Sequence, residues 1–205
     1  MKKKIGIFGG TFAPIHNAHI RIALEFKKSF DLDKLLIIPA SIPPHKELPK
    51  GDSAEHRLNM LKLVFDNEEY KTMGIEVSDY ELTKPGVSYT VETLEHFYSE
   101  DTELYLLCGT DMFLKMHHWR SPERIAELTN LVFTRREDST PLLDKQIATQ
   151  KEFLEHEYKF KIYELEMTAM ELSSTYIRAH IDGDLEGLLN EKVLKYIKDN
   201  NLYRG

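Results

Sequence analysis

A chain of 205 residues, 30% of them charged and without an apolar run of membrane-spanning length, is expected to fold in water as one domain over 1–205, free of membrane contact. Its formal net charge of −7 argues against general nucleic-acid binding. The single cysteine, Cys108, excludes an internal disulfide and fits a reducing cytoplasm, and the three N-terminal lysines precede too short an apolar run for a signal peptide.

The first element is an apolar strand over Ile5 to Phe8, broken by Gly9, Gly10 and Thr11. Beyond Pro14 stand His16 and His19, three apart, so that on a helix they share a face. Ile22, Phe26 and Phe30 then mark the buried stripe of that helix. Strand, glycine turn, helix is an arrangement that gathers backbone N–H groups at one spot and attracts phosphate. Neither G-x-x-x-x-G-K-[ST] nor G-x-G-x-x-G is present, so the histidines are the candidate phosphate ligands.

Leu35 to Ile38 reads as a second strand, and the short connection predicts parallel pairing. It leads into Ile42-Pro43-Pro44-His45-Lys46, a proline-stiffened loop with a cation at the expected ligand edge. Asp52 and Glu55 look like a capping box for a helix carrying Leu58, Leu61 and Phe65, with His56 and Arg57 expected at the surface. Met73, Ile75 and Val77 alternate as a strand. Ser88-Tyr89-Thr90 opens another helix, with Ser88 or Thr90 as its N-cap.

Leu104 to Cys108 predicts the next strand, closed by Gly109-Thr110-Asp111; an acid there is either an ordinary cap or placed for ribose hydroxyls. His117 and His118 read as surface loop, and Trp119, as a lone aromatic, as core or surface. Ser121-Pro122 begins a short helix and Leu131 to Thr134 a strand, with Arg135 and Arg136 at its end, solvated or meeting a nucleotide. An exposed helix is expected between Leu142 and His156, then a last strand over Ile162, Leu165 and Met167. Ser173, Ser174 and Thr175 followed by Arg178 form an anion-binding pattern: hydroxyls and N-terminal N–H groups with a guanidinium clamp. Val193, Leu194, Ile197 and Leu202 stripe a closing helix over the sheet, in a helical subregion spanning 172–205.

GGTFAPIHNAH resembles the H-x-G-H element of the nucleotidylyltransferase superfamily, in the form found in bacterial nicotinate-nucleotide adenylyltransferases. P-H-K, S-Y-T, GTDMFLKMHHW and S-S-T-Y-I-R are similar to that family's other elements. Ala13 stands where that family usually has Asp, and Ala18 where its Gly is expected; the added methyl of Ala18 is expected beside the nucleotide. The resemblance implies an α/β, Rossmann-like fold: a central, mostly parallel sheet with helices on both faces. It implies AMP transfer from ATP to nicotinate mononucleotide, with Mg²⁺ bridging ATP oxygens and no metal held by protein side chains. His16, His19, Lys46 and Arg178 are the implied catalytic groups. Gly9, Gly10, Thr11, Phe12, Gly109, Asp111, Ser173, Ser174 and Thr175 would complete the ATP site. Tyr89, Thr90, Asp111, Trp119 and Lys46 would hold the mononucleotide.

Three other readings stay open on the sequence. One is a related adenylyl- or cytidylyltransferase with another phosphate acceptor, such as nicotinamide mononucleotide or phosphopantetheine. Another is a nucleotide sensor without turnover, and the third a zinc hydrolase drawing on some of the nine histidines. Whether the chain forms a homo-oligomer is also open.

Overall fold

The computed structural model describes residues 2–43, 48–84, 86–135, 139–167 and 172–204. These form a six-stranded sheet, β1 (Lys3–Gly10), β2 (Lys34–Pro39), β3 (Ile75–Val77), β4 (Thr102–Gly109), β5 (Thr129–Thr134) and β6 (Ile162–Leu165), in the order β3-β2-β1-β4-β5-β6. Every pairing is parallel. All strands therefore end on the same edge, and the order reverses direction between β1 and β4, where open α/β sheets form their ligand crevice.

Successive strand residues face opposite sides, and the sequence fills both sides with apolar groups. Phe8, Leu35, Ile37 and Leu107 join one core with Ile22 and Phe26 of α1 (Asn17–Ser29) and Met60 and Leu61 of α2 (Ala54–Phe65). Ile5, Ile7, Leu36, Ile38, Leu104 and Leu106 join the other. Gly6 allows the first layer to close, since a Cβ there would stand 2.5 Å from Leu32 and 2.9 Å from Leu35 and Phe26. The short helices α3 (Glu68–Thr72) and α4 (Tyr80–Thr83) flank β3, and α5 (Thr90–Phe97) precedes β4. After β4 come α6 (Thr110–Phe113), a 3₁₀ turn (Met116–His118) and α7 (Pro122–Leu128). Helix α8 (Pro141–Glu157) packs Ile147 and Leu154 into the second core. Helix α9 (Ser174–Ala179) and α10 (Glu191–Asp199) close the chain, and Val193 and Ile197 enter the first core.

Several local expectations are corrected. Ser53, not Asp52, caps α2, its hydroxyl accepting from the His56 backbone N–H. Asp52 is instead paired with Arg57 at 3.1 Å, both side chains fully buried, so Arg57 is not a surface residue. His56 is half-buried, bonded through Nδ1 to the Tyr196 hydroxyl at 2.9 Å. Met73 caps the end of α3 rather than joining β3, and Met167 lies beyond β6. Arg135 is bound to Glu164 at 2.6 Å and to Asp144, tying β5 to β6 and α8, while Arg136 lies outside the described residues. No described helix is long and apolar enough to cross a membrane.

Candidate active site

At the carboxyl edge, beside the β1/β4 switch, lies a cavity of about 550 Å³. Gly9, Gly10, Thr11, Phe12, His16 and His19 line it from the end of β1 and the start of α1. Tyr89 and Thr90 line it from the start of α5, and Gly109, Asp111 and Trp119 from the stretch after β4. Ser173, Ser174, Thr175 and Arg178 line it from α9. The implied catalytic, ATP and mononucleotide residues thus line one cavity, except Lys46, which lies outside the described residues, as do Pro44 and His45.

The glycine turn has a steric logic. Phe12 sits in the left-handed region (φ 51°), which is uncommon for a bulky residue, and its ring covers Gly10, where a Cβ would lie 2.9 Å from the ring. The same ring stands edge-on to Phe8 at 5.4 Å and to His19 at 5.1 Å. At Gly9, by contrast, a Cβ would meet nothing within 4 Å.

His16 is the N-cap of α1, in extended backbone, and its ring stacks on His19 with centroids 3.7 Å apart. The His16 backbone N–H donates to His19 Nδ1 at 3.4 Å. With Nδ1 accepting, the neutral His19 ring carries its proton on Nε2 and is a donor there. No acidic residue lies in the first turn of α1, so the positive end of its dipole is not offset.

The serine–threonine element is laid against the segment between β1 and α1. Ser174 Oγ donates to the Pro14 carbonyl at 2.9 Å, and half-buried Arg178 donates to the Ala13 carbonyl at 2.7 Å and to Thr175 Oγ1 at 3.2 Å. Ser173 is the N-cap of α9, accepting from the Tyr176 N–H. The 173–178 element is thereby bonded to the turn that precedes the imidazoles. Ala18, between the two histidines, is buried in the first core and is not among the cavity-lining residues. Ala13 does line the cavity, and its carbonyl receives Arg178.

Neither Ser88 nor Thr90 caps α5. Tyr89 occupies that position without a side-chain bond, while Ser88 Oγ accepts from the Ser41 N–H at 2.9 Å. Arg120 lies over the Tyr89 ring at 4.4 Å and reaches Glu92 at 3.4 Å. Ser121 stands before Pro122 in left-handed backbone, with no side-chain cap bond. His118 is exposed, as expected, and also lines the cavity, whereas His117 is half-buried, its Nδ1 accepting from Gln150 at 3.0 Å, and is not plain surface loop.

Sequence reasoning passed over Glu81 and Thr93, which line the cavity on the α5 side. Thr93 Oγ1 donates to Glu81 at 2.7 Å, and burial pushes the Glu81 carboxyl above its ordinary range. Nothing in Tyr80-Glu81-Leu82-Thr83 marks that acid; only the placement of α4 beside α5 brings it inward. Among the described residues no group of three or more His, Cys, Asp or Glu is placed to hold a metal ion.

A parallel sheet with a helix-borne histidine pair and a hydroxyl–arginine element at its switch point defines a Rossmann-like nucleotidylyltransferase fold. A family model described as cytidylyltransferase-like matches residues 7–180. A protein of Clostridium botulinum (strain Alaska E43) named "Probable nicotinate-nucleotide adenylyltransferase" is 40% identical over 204 residues, 98% of each chain. One of the same name from Desulfatibacillum aliphaticivorans is 36% identical, covering 98% of this chain and 99% of its own. The Plasmodium falciparum nicotinic acid mononucleotide adenylyltransferase complexed with NaAD superposes with a TM-score of 0.72 at 18% identity, over 98% of this chain and 97% of that one. The chain belongs to the nicotinate-nucleotide adenylyltransferase family within the cytidylyltransferase-like group.

Proposed function

We propose that this chain transfers AMP from ATP to nicotinate mononucleotide, releasing pyrophosphate and forming deamido-NAD. The observation that carries the reading is the stacked His16–His19 pair at the start of α1, lining one cavity with Ser173, Ser174, Thr175 and Arg178. One group of donors can hold an α-phosphate while the other receives the phosphates that depart.

A phosphate monoester is already anionic at neutral pH, so its oxygen attacks the α-phosphorus in line without a general base. Catalysis then rests on positioning and on charge stabilisation. His19 donates to the α-phosphate, with His16 beside it. Arg178, with the hydroxyls of α9, neutralises the leaving pyrophosphate, and Lys46 is assigned to the reacting phosphates on the family resemblance alone. Mg²⁺ enters as part of the substrate, on ATP oxygens, as its preference for oxygen ligands and retained waters suits. Gly9, Gly10, Thr11, Phe12, Gly109 and Asp111 are the proposed walls of the ATP pocket. The nicotinate ring is assigned to Trp119 and Tyr89, and its carboxylate to the N-terminal N–H groups at Thr90, where no side chain of Tyr89 caps the helix. The 1–205 span acts as one unit, and a sequence with a single cysteine, the buried Cys108, suits a reducing cytoplasm.

The test is turnover with Mg–ATP and the acid or the amide mononucleotide, side by side, reading pyrophosphate and dinucleotide. Faster formation of the acid dinucleotide is expected. Binding without turnover points to a sensor, preference for another phosphate acceptor to a different transferase, and ATP-independent hydrolysis with retained zinc to a hydrolase; each overturns the reading.

A further inference from the structure

We infer that buried Arg57 is a positioning residue that fixes the loops after β1 and β2 relative to one another at the mouth of the cavity. The inference rests on the proposed adenylyl transfer for its consequence, though not for its geometry. The Arg57 side chain is 0% exposed, and its guanidinium reaches only groups brought together by the fold. Nη1 donates to the Thr11 carbonyl at 3.2 Å and to the Ala40 carbonyl, and Nη2 donates to the Ser41 carbonyl at 3.0 Å. Nε faces Asp52 at 3.1 Å.

A buried guanidinium is a poor way to fill space, because apolar side chains of the same volume are often as stabilising. What it offers is a planar, fixed fork of donors that spans several acceptors at once. Here the acceptors lie on two separate loops that line the cavity. Thr11 sits between the glycine pair and Phe12, two residues ahead of the Ala13 whose carbonyl receives Arg178. Ser41 is held from both sides: its carbonyl by Arg57 and its N–H by Ser88 Oγ, while the Ser88 N–H donates to the Ile42 carbonyl at 3.1 Å. One side chain thus sets the spacing of the β1 turn, the β2 loop and the approach to α5.

Its orientation is held in turn. Asp52 neutralises it, and the Tyr203 hydroxyl, from the end of the chain, donates to Asp52 Oδ1 at 3.4 Å. Burial holds the Tyr203 phenol well above its ordinary range, so it remains a donor at any working pH. Nothing in the family resemblance assigned a role to Arg57, Asp52 or Tyr203.

The experiment compares Arg57→Met and Arg57→Lys with the parent enzyme. It reads hydrogen exchange in the 10–13 and 39–42 segments, the melting temperature, and kcat and KM for both substrates. Faster exchange in both segments is expected for Arg57→Met, with kcat lowered by about 10²-fold, as for an ångström-scale misplacement of reacting groups, and KM moved less. The lysine keeps the charge but not the fork, so it should restore kcat only in part. If Arg57→Met does not fold, Arg57→Lys alone carries the test, with faster exchange and lower kcat as the supporting result. A lower melting temperature with parental kcat and parental loop exchange marks a purely structural residue and overturns the inference. Should the parent itself fail to turn over the nicotinate substrates, the functional reading falls, while loop exchange still decides whether Arg57 fixes the loops.

Discussion

His19 combines two roles that a substitution can separate. Its ring packs edge-on to Phe12 and on His16, and its Nδ1 takes the His16 N–H. Those contacts orient the ring; the Nε2 proton is what a phosphate would meet. His19→Ala is expected to fold and to lose roughly 10²- to 10³-fold in kcat, about 3–4 kcal/mol of barrier, as for removal of one preorganised donor. A melting curve beside the assay separates lost chemistry from lost fold, and near-parental turnover would remove His19 from the mechanism. His117 invites a different measurement. Burial, and then the neighbouring His118, hold its pKa below the ordinary value, while its Nδ1 accepts from Gln150. The unfolded chain takes up this proton near pH 6.5, the folded one only at lower pH. Stability from His117 is therefore fully present above about pH 6.5 and is lost as pH falls through the depressed folded value. His117→Asn keeps an acceptor for Gln150 and does not titrate. Its melting temperature should fall less between pH 7 and 5 than the parent's; an equal fall would place the acid sensitivity elsewhere.

At the scale of the element, the β1 turn can be probed at Gly9, where an added methyl meets no protein atom. Gly9→Ala should leave the melting temperature within the small range typical of unstrained substitutions, while raising KM for ATP, because the methyl enters space assigned to the nucleotide. Unchanged KM would put the nucleotide elsewhere. This turn was legible in the sequence, as were α1, the Ser173–Arg178 element and the exposed helix after Pro141, because each is announced by residues adjacent in the chain. Thr140, which caps α8 by accepting from the Leu143 N–H, is such a local signal. Arg57 was not legible. It sits among polar residues in the first turn of α2, and its acceptors are Thr11, Ala40 and Ser41, whose approach only the parallel register of β1 and β2 arranges. Glu81 was hidden for the same reason: only the packing of α4 beside α5 turns it toward the cavity.

For the molecule as a whole, the C-terminal segment is part of the structure that makes the site. Ile197 is 0% exposed and belongs to the same core as Phe8, Phe26 and Leu107, while Tyr196 bonds His56 and Asn59 on α2. The Asn17 N–H donates to the Leu188 carbonyl and the Asn17 side chain to the Gly187 carbonyl, so the same segment meets the start of α1. Tail and sheet should therefore unfold together rather than in sequence. Ile197→Ala is expected to cost about 2–5 kcal/mol through lost burial and the cavity left behind. At roughly 2–4 °C per kcal/mol for a chain of this size, the melting temperature drops measurably yet remains a single transition. Leu142→Ala, at a position 69% exposed, should change stability by no more than about 0.5 kcal/mol and serves as the control. An early, separate transition confined to residues 187–204 would mean that the tail is an appendage, and that its bonds to Asp52, α1 and α2 contribute little to holding the cavity's walls.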